Sequence, residues 1–121
     1  MQYARLYTDS AGVSHFETVD CDLTPTDFAP PAPPLQLSPF TPATRFAFLS
    51  APAGWFGDWH PAPQRQVFFF LAGEFDCTAG DGTVWRFLAG SVLLMEDTVG
   101  RGHATRVVSD EDALAAVVQL A

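Results

Sequence analysis

The sequence predicts an all-β protein, a sandwich or barrel of short strands. Three observations carry that class. Short apolar runs recur from residue 44 onward, separated by turns that mostly contain glycine. Residues 20–43 hold seven of the ten prolines, which lack a backbone donor and exclude helix or central strand there. Only residues 113–121 are rich enough in alanine to read as helix.

Taken in order, residues 1–19 alternate as a β-hairpin. Tyr3, Arg5 and Tyr7 share a side, Ser10-Ala-Gly-Val13 turns the chain, and His15-Phe-Glu-Thr-Val19 returns. The proline-rich stretch reads as an extended surface arm anchored by Phe28, Leu35, Leu37 and Phe40. An interdomain linker is the other reading, but the 19 residues before it are too few for a domain. Strands are expected at 44–49, 64–71, 74–78, 84–88, 91–95, 103–108 and 114–120. The last is assigned as strand because Leu114, Ala116, Val118 and Leu120 alternate. The chain is thus expected to be one structural domain, with a hairpin and arm (1–43) packed on a barrel (44–121).

With 48% hydrophobic residues in 121, the chain can bury a core. Fourteen acidic against six basic side chains give a net charge of −8, which argues against nucleic acid or an anionic membrane as partner. No apolar run approaches the ~18 residues of a membrane span, and the start, Met1-Gln-Tyr-Ala-Arg5, does not resemble a signal peptide. Cys21 and Cys77 are too few for a disulfide framework or a zinc knuckle, so free thiols in a reducing cytoplasm are expected. Lys, Asn and Ile are absent; their codons are AT-rich, which points to a high-GC bacterial genome.

The usual catalytic signatures are missing: no Ser-His-Asp order, no P-loop, no Gly-x-Gly-x-x-Gly. Two polar patches remain. Trp59-His60-Pro-Ala-Pro-Gln64-Arg-Gln66 leads into Val67-Phe-Phe-Phe70. Strand alternation turns His60, Ala62, Gln64, Gln66, Phe68 and Phe70 to one face, polar at a barrel mouth and apolar deeper in. The plainer role for Gln64 and Gln66 is cross-strand hydrogen bonding. The second patch is Glu96-Asp97-Thr-Val-Gly-Arg-Gly-His103, whose glycines permit a sharp turn before His103 opens a strand. Alone, Glu96-Asp97 reads as a solvated turn or cap, and a histidine at a strand start is more often structural than functional. Arg65 and Arg106 fall on the opposite face from the histidines and are expected to pair with surface acids.

This spacing resembles the cupin family. Its first motif runs Gly, five residues, His-x-His, three or four residues, Glu, six residues, Gly. Here Gly54, His60, Ala62, Gln66 and Gly73 occupy those positions in register. In the second motif Gly90 is followed after five residues by Glu96 in the proline position, and His103 lies two residues later than the pattern has it. The likeness covers residues 44–120 and is strongest to small single-domain bacterial cupins. It implies a double-stranded β-helix (jelly-roll) barrel, often dimeric, with a pocket where these positions converge. Metal-binding cupins use two His and a Glu from the first motif and a His from the second. The implied metal positions are therefore His60, Gln66 and His103, with Ala62 standing where a further ligand would be.

Three functions follow. The first is a metal-dependent enzyme acting on a small organic molecule by oxygenation, isomerisation, cyclisation or dehydration. His60 and His103 would bind a divalent transition metal (iron, nickel, zinc, manganese or copper) with Gln66 or Gln64 and water. Gln64, Phe68, Phe70, Trp59 and Glu96 would line its pocket. The second is a metal-free enzyme using His60 or His103 as catalytic acid or base. The third is a non-catalytic binder of an apolar or aromatic ligand held by Phe68, Phe70, Trp55, Phe56 and Trp59. A homodimer through the N-terminal strands is expected. If His103 is a ligand, its removal is expected to cost little stability.

Overall fold

Runs of β-branched and aromatic residues closed by glycine or polar turns satisfy their backbone groups across strands rather than within a helix. In the computed structural model, which describes all 121 residues, they form twelve strands and no helix. The N-terminal hairpin is β1 (Gln2–Thr8) and β2 (Ser14–Asp20), and the arm contains β3 (Thr24–Thr26) and β4 (Leu35–Leu37). Then come β5 (Ala43–Ala51), β6 (Phe56–His60), β7 (Gln66–Ala72) and β8 (Phe75–Thr78). The last four are β9 (Val84–Phe87), β10 (Val92–Glu96), β11 (His103–Val107) and β12 (Ala113–Leu120). No helix is long and apolar enough to cross a membrane.

Two sheets make a jelly roll. The larger has the order β2-β1-β10-β7-β12-β5, the smaller β6-β11-β8-β9. The hairpin belongs to the larger sheet, because β1 runs parallel to β10 and pairs Leu6 with Met95. Between the sheets lies the core, in which Leu6, Phe70, Phe75, Phe87, Leu93 and Val107 are buried. Phe70 joins the layers, with its ring centroid 4.9 Å from Phe87 and 5.3 Å from Phe75.

Three expectations need correction. β6 lies where no strand was expected. It ends at His60 because the Pro61-Ala-Pro63 segment cannot donate a continuous ladder, and the next strand starts at Gln66. His60 and Gln66 therefore sit on different sheets rather than along one strand. The arm is less anchored than its composition suggested: Phe28, Leu35 and Phe40 are all exposed, and only Leu37 is half-buried.

Candidate functional site

A cavity of about 300 Å³ opens between the sheets. Phe68, Phe70, Phe75, Phe87, Leu93 and Met95 line it with apolar surface, and Trp55 and Leu49 extend that lining. Its polar positions include His60, Gln66, His103, Thr105 and Cys77. Burial pushes the Cys77 thiol up to about 12, so at neutral pH it stays protonated and inert.

His103 and His60 face each other across the β11–β6 ladder, with ring centroids 4.7 Å apart. Each ring is fixed through Nδ1. His103 Nδ1 donates to Asp97 Oδ2 at 2.6 Å, and His60 Nδ1 donates to the Asp58 carbonyl at 2.6 Å. A carboxylate and a carbonyl only accept, so each ring donates through Nδ1, and Nε2 is the nitrogen left for another partner. The His103–Asp97 pair is sealed from water, whereas His60 stands exposed.

Asp97 arrives there by strand parity. Along β10, Leu93 and Met95 point inward while Leu94 and Glu96 point outward, so the next inward position is Asp97. The loop is then closed back onto β6 and the hairpin. Ala62 N–H donates to the Asp97 carbonyl at 3.0 Å, and Ser14 Oγ donates to the Gly102 carbonyl at 2.7 Å. Gly102 has φ +77°, and a Cβ there would stand 2.0 Å from the His60 carbonyl oxygen. Only glycine lets the loop approach β6 so closely. Asp97 Oδ1 is buried and has no hydrogen-bond partner.

Of the residues singled out from sequence, His60, Gln66, His103, Phe68 and Phe70 line the cavity, as does Trp55. Gln64, Trp59, Glu96 and Phe56 do not. Gln64 turns its amide toward the Leu120 carbonyl at 3.5 Å. Trp59 lies beneath the Arg101 guanidinium at 3.8 Å, and Phe56 beneath that of Arg106 at 4.7 Å. Glu96 points away from the cavity and bridges Arg5 and Arg65. Burial raises its pKa, but the two arginine hydrogen bonds outweigh that and hold it below the usual carboxylate range. Arg106 thus pairs with a ring rather than an acid. Asp97 is not the solvated turn or cap that its sequence neighbourhood suggested but a fully buried partner of His103, and parity carried one residue beyond β10 pointed to it.

The expectation that His103→Ala costs little stability also changes. Removing the imidazole leaves the Asp97 carboxylate buried without a partner, which is among the costliest single changes a core can suffer.

No protein-family model matches the chain, and no curated protein matches it. Solved structures do. The cupin domain of Cnp3 from Schizosaccharomyces pombe superposes with a TM-score of 0.53 at 14% identity, covering 100% of this chain and 83% of that one. A predicted oxalate decarboxylase from Thermotoga maritima gives 0.52 at 22% identity, over 65% and 68% of the two chains. A cupin 2 conserved barrel domain protein from Salinispora arenicola gives 0.50 at 18% identity over 60% of this chain, which spans 59% of that one. At these identities the likeness establishes the fold.

Proposed function

Given this cupin fold, we propose that the cavity is the active centre of a metal-dependent enzyme acting on a small, mainly apolar organic molecule. The supporting observation is the pair of imidazoles: both Nδ1 atoms hold oxygen acceptors, neither Nε2 has a hydrogen-bond partner in the protein, and the rings lie 4.7 Å apart. Imidazoles whose second nitrogen is held by an oxygen are the usual environment of histidine ligands. His60 and His103 would hold a divalent transition metal such as iron, nickel, copper or zinc. Gln66 adds a neutral amide whose oxygen already accepts from Gln119 at 3.3 Å, and no third His, Cys, Asp or Glu joins the group. Such a donor set fits a metal bound more weakly than by three histidines and a carboxylate.

When bound, the metal supplies Lewis-acid polarisation of a substrate oxygen. The chain's own residues supply the rest. Phe68, Phe70, Phe75 and Phe87 take up the apolar body of the substrate and exclude water from it. Asp97 keeps the proton of His103 on Nδ1 and fixes the ring plane. Untagged protein tests the reading. One equivalent of divalent metal per chain, lost in His60→Ala, is expected from elemental analysis and titration calorimetry. Failure to bind zinc, nickel or ferrous iron at millimolar concentration would overturn it.

A second reading is supported by the sealed Asp97–His103 pair. In a metal-free enzyme that pair leaves Nε2 of His103 as a base toward the cavity. Turnover that survives a chelator and disappears in Asp97→Asn would select it.

A further inference from the structure

We propose that the cavity selects its ligand by charge: it takes an uncharged molecule of one or two rings carrying a carbonyl or hydroxyl oxygen, and refuses carboxylates and phosphates. This deepens the reading of the cavity as a small-molecule centre and rests on that reading, but not on the metal.

The cations are all elsewhere. The chain has no lysine, and none of its six arginines lines the cavity. Arg5 and Arg65 hold Glu96, Arg86 holds Asp76, and Arg101 and Arg106 lie on the rings of Trp59 and Phe56. Arg45 donates to Gln119 Oε1. Asp97 instead puts a negative charge directly behind the lining, bonded to His103 and with Oδ1 unpartnered. An anion entering the cavity would leave water, meet no arginine or lysine, and face that carboxylate. Burying a charge without a partner is among the costliest steps open to a protein.

The walls set the size and the end group. The cavity, about 300 Å³, has twice the ~150 Å³ that accepts one benzene ring, so a body of one or two rings fills it. The end group is read by Gln66, whose amide is oriented from outside the cavity. A guanidinium only donates, so Arg45 meets the oxygen of Gln119. Gln119 therefore turns its NH2 to Gln66 Oε1 at 3.3 Å, and Gln66 turns its own NH2 the other way. There it finds only the Met95 sulfur at 3.9 Å, a weak acceptor in the cavity wall. Gln66 is buried, so that donor is short of a partner, and a carbonyl or hydroxyl oxygen would supply one.

Three planar molecules of one shape test the proposal: 2-naphthamide (uncharged), 2-naphthoate (anionic) and 2-naphthamidine (cationic). Calorimetry on the full chain is run with excess chelator at about pH 8.5, above the ordinary imidazole range, so that neither a metal nor an imidazolium supplies charge. The amide is expected to bind tightest and the carboxylate about 100-fold more weakly, with the amidine between them because Asp97 attracts it. Leu49→Arg places a cation in the lining, on the edge strand β5, and should narrow the amide–carboxylate gap to about tenfold or less. A wild-type gap below about tenfold, an amidine that binds tightest, or no binding of the amide at millimolar concentration overturns the proposal. So does a gap that Leu49→Arg leaves unchanged. Should that variant fail to fold, methyl resonances of Leu49 and Met95 in the wild type decide. Shifts on adding the amide support the site, and silence there overturns it. A chain that shows the charge ranking yet binds no zinc loses the metal reading and keeps this one; a chain that binds zinc without the ranking does the reverse.

Discussion

His15 and His103 each hold an aspartate oxygen at 2.6 Å, one beside the N-terminal hairpin turn and the other behind the cavity. They differ in the second ring nitrogen and in water. His15 gives Nε2 to Asp9 and Nδ1 to Asp81, so it ties the β1–β2 turn to the β8–β9 turn and has no nitrogen left over. It lies half-exposed, where water screens the pair. His103 uses one nitrogen, keeps the other toward a cavity, and is sealed with its partner. The hydrogen-bond length is common to a structural clip and a functional pair; the free nitrogen and the burial separate them.

The sharpest way to break that contrast is to empty each pair in turn. His103→Ala should cost about 3 kcal/mol by urea unfolding, because it strands a buried carboxylate; a cost near that of an exposed pair would erase the distinction. Asp97→Asn keeps the volume but can offer the ring an amide instead of a carboxylate. Metal affinity should then fall by about 10–100-fold with the fold intact, and calorimetry on the two proteins reads it. Gln66→Glu works in the opposite sense, giving the cavity a charged oxygen donor. It should tighten metal binding several-fold, and unchanged affinity would remove Gln66 from the site.

The smallest effect belongs to His15 and depends on pH. The Asp9 hydrogen bond, followed by that of Asp81, raises the His15 pKa above 6.5 against a smaller lowering by burial. A raised histidine pKa contributes stability that is present below the unfolded value and lost as pH rises through the folded one. Asp9 is lowered below 3.8, chiefly by the Val13 N–H and then by His15. Its contribution is lost as pH falls through that depressed value. The Tm difference between wild type and His15→Gln should therefore be largest between about pH 4 and 6.5 and shrink at pH 9. A pH-independent difference would mean that packing alone holds the clip.

The barrel strands were legible because period-two alternation and glycine punctuation are local properties. β12 reads as strand from Leu114, Ala116 and Val118 despite its alanines. The short β6 was not, since Phe56-Gly-Asp-Trp-His60 has no clean alternation and takes its ladder from β11. His60 and Gln66 reach one cavity, yet from two sheets, so parity along one strand was the wrong route to that juxtaposition. Asp97 was harder. An Asp after a Glu and before a glycine-rich loop looks solvated until Ser14 and Ala62 close the loop over it, and those partners are remote in sequence.

Gly102 has a consequence for how such a site can drift. Any codon change that adds a side chain there meets the His60 carbonyl at 2.0 Å in a backbone conformation that L residues avoid. The mutual placement of the two imidazoles is thus written into main-chain contact, where substitution has no gradual path. Gln66 carries no such lock, since it meets the cavity and its neighbours Gln119 and Met95 through its side chain rather than through a main-chain contact. Lineages sharing this loop would therefore keep the imidazole pair fixed while sampling new donors around it, a division between an inherited frame and an editable chemistry.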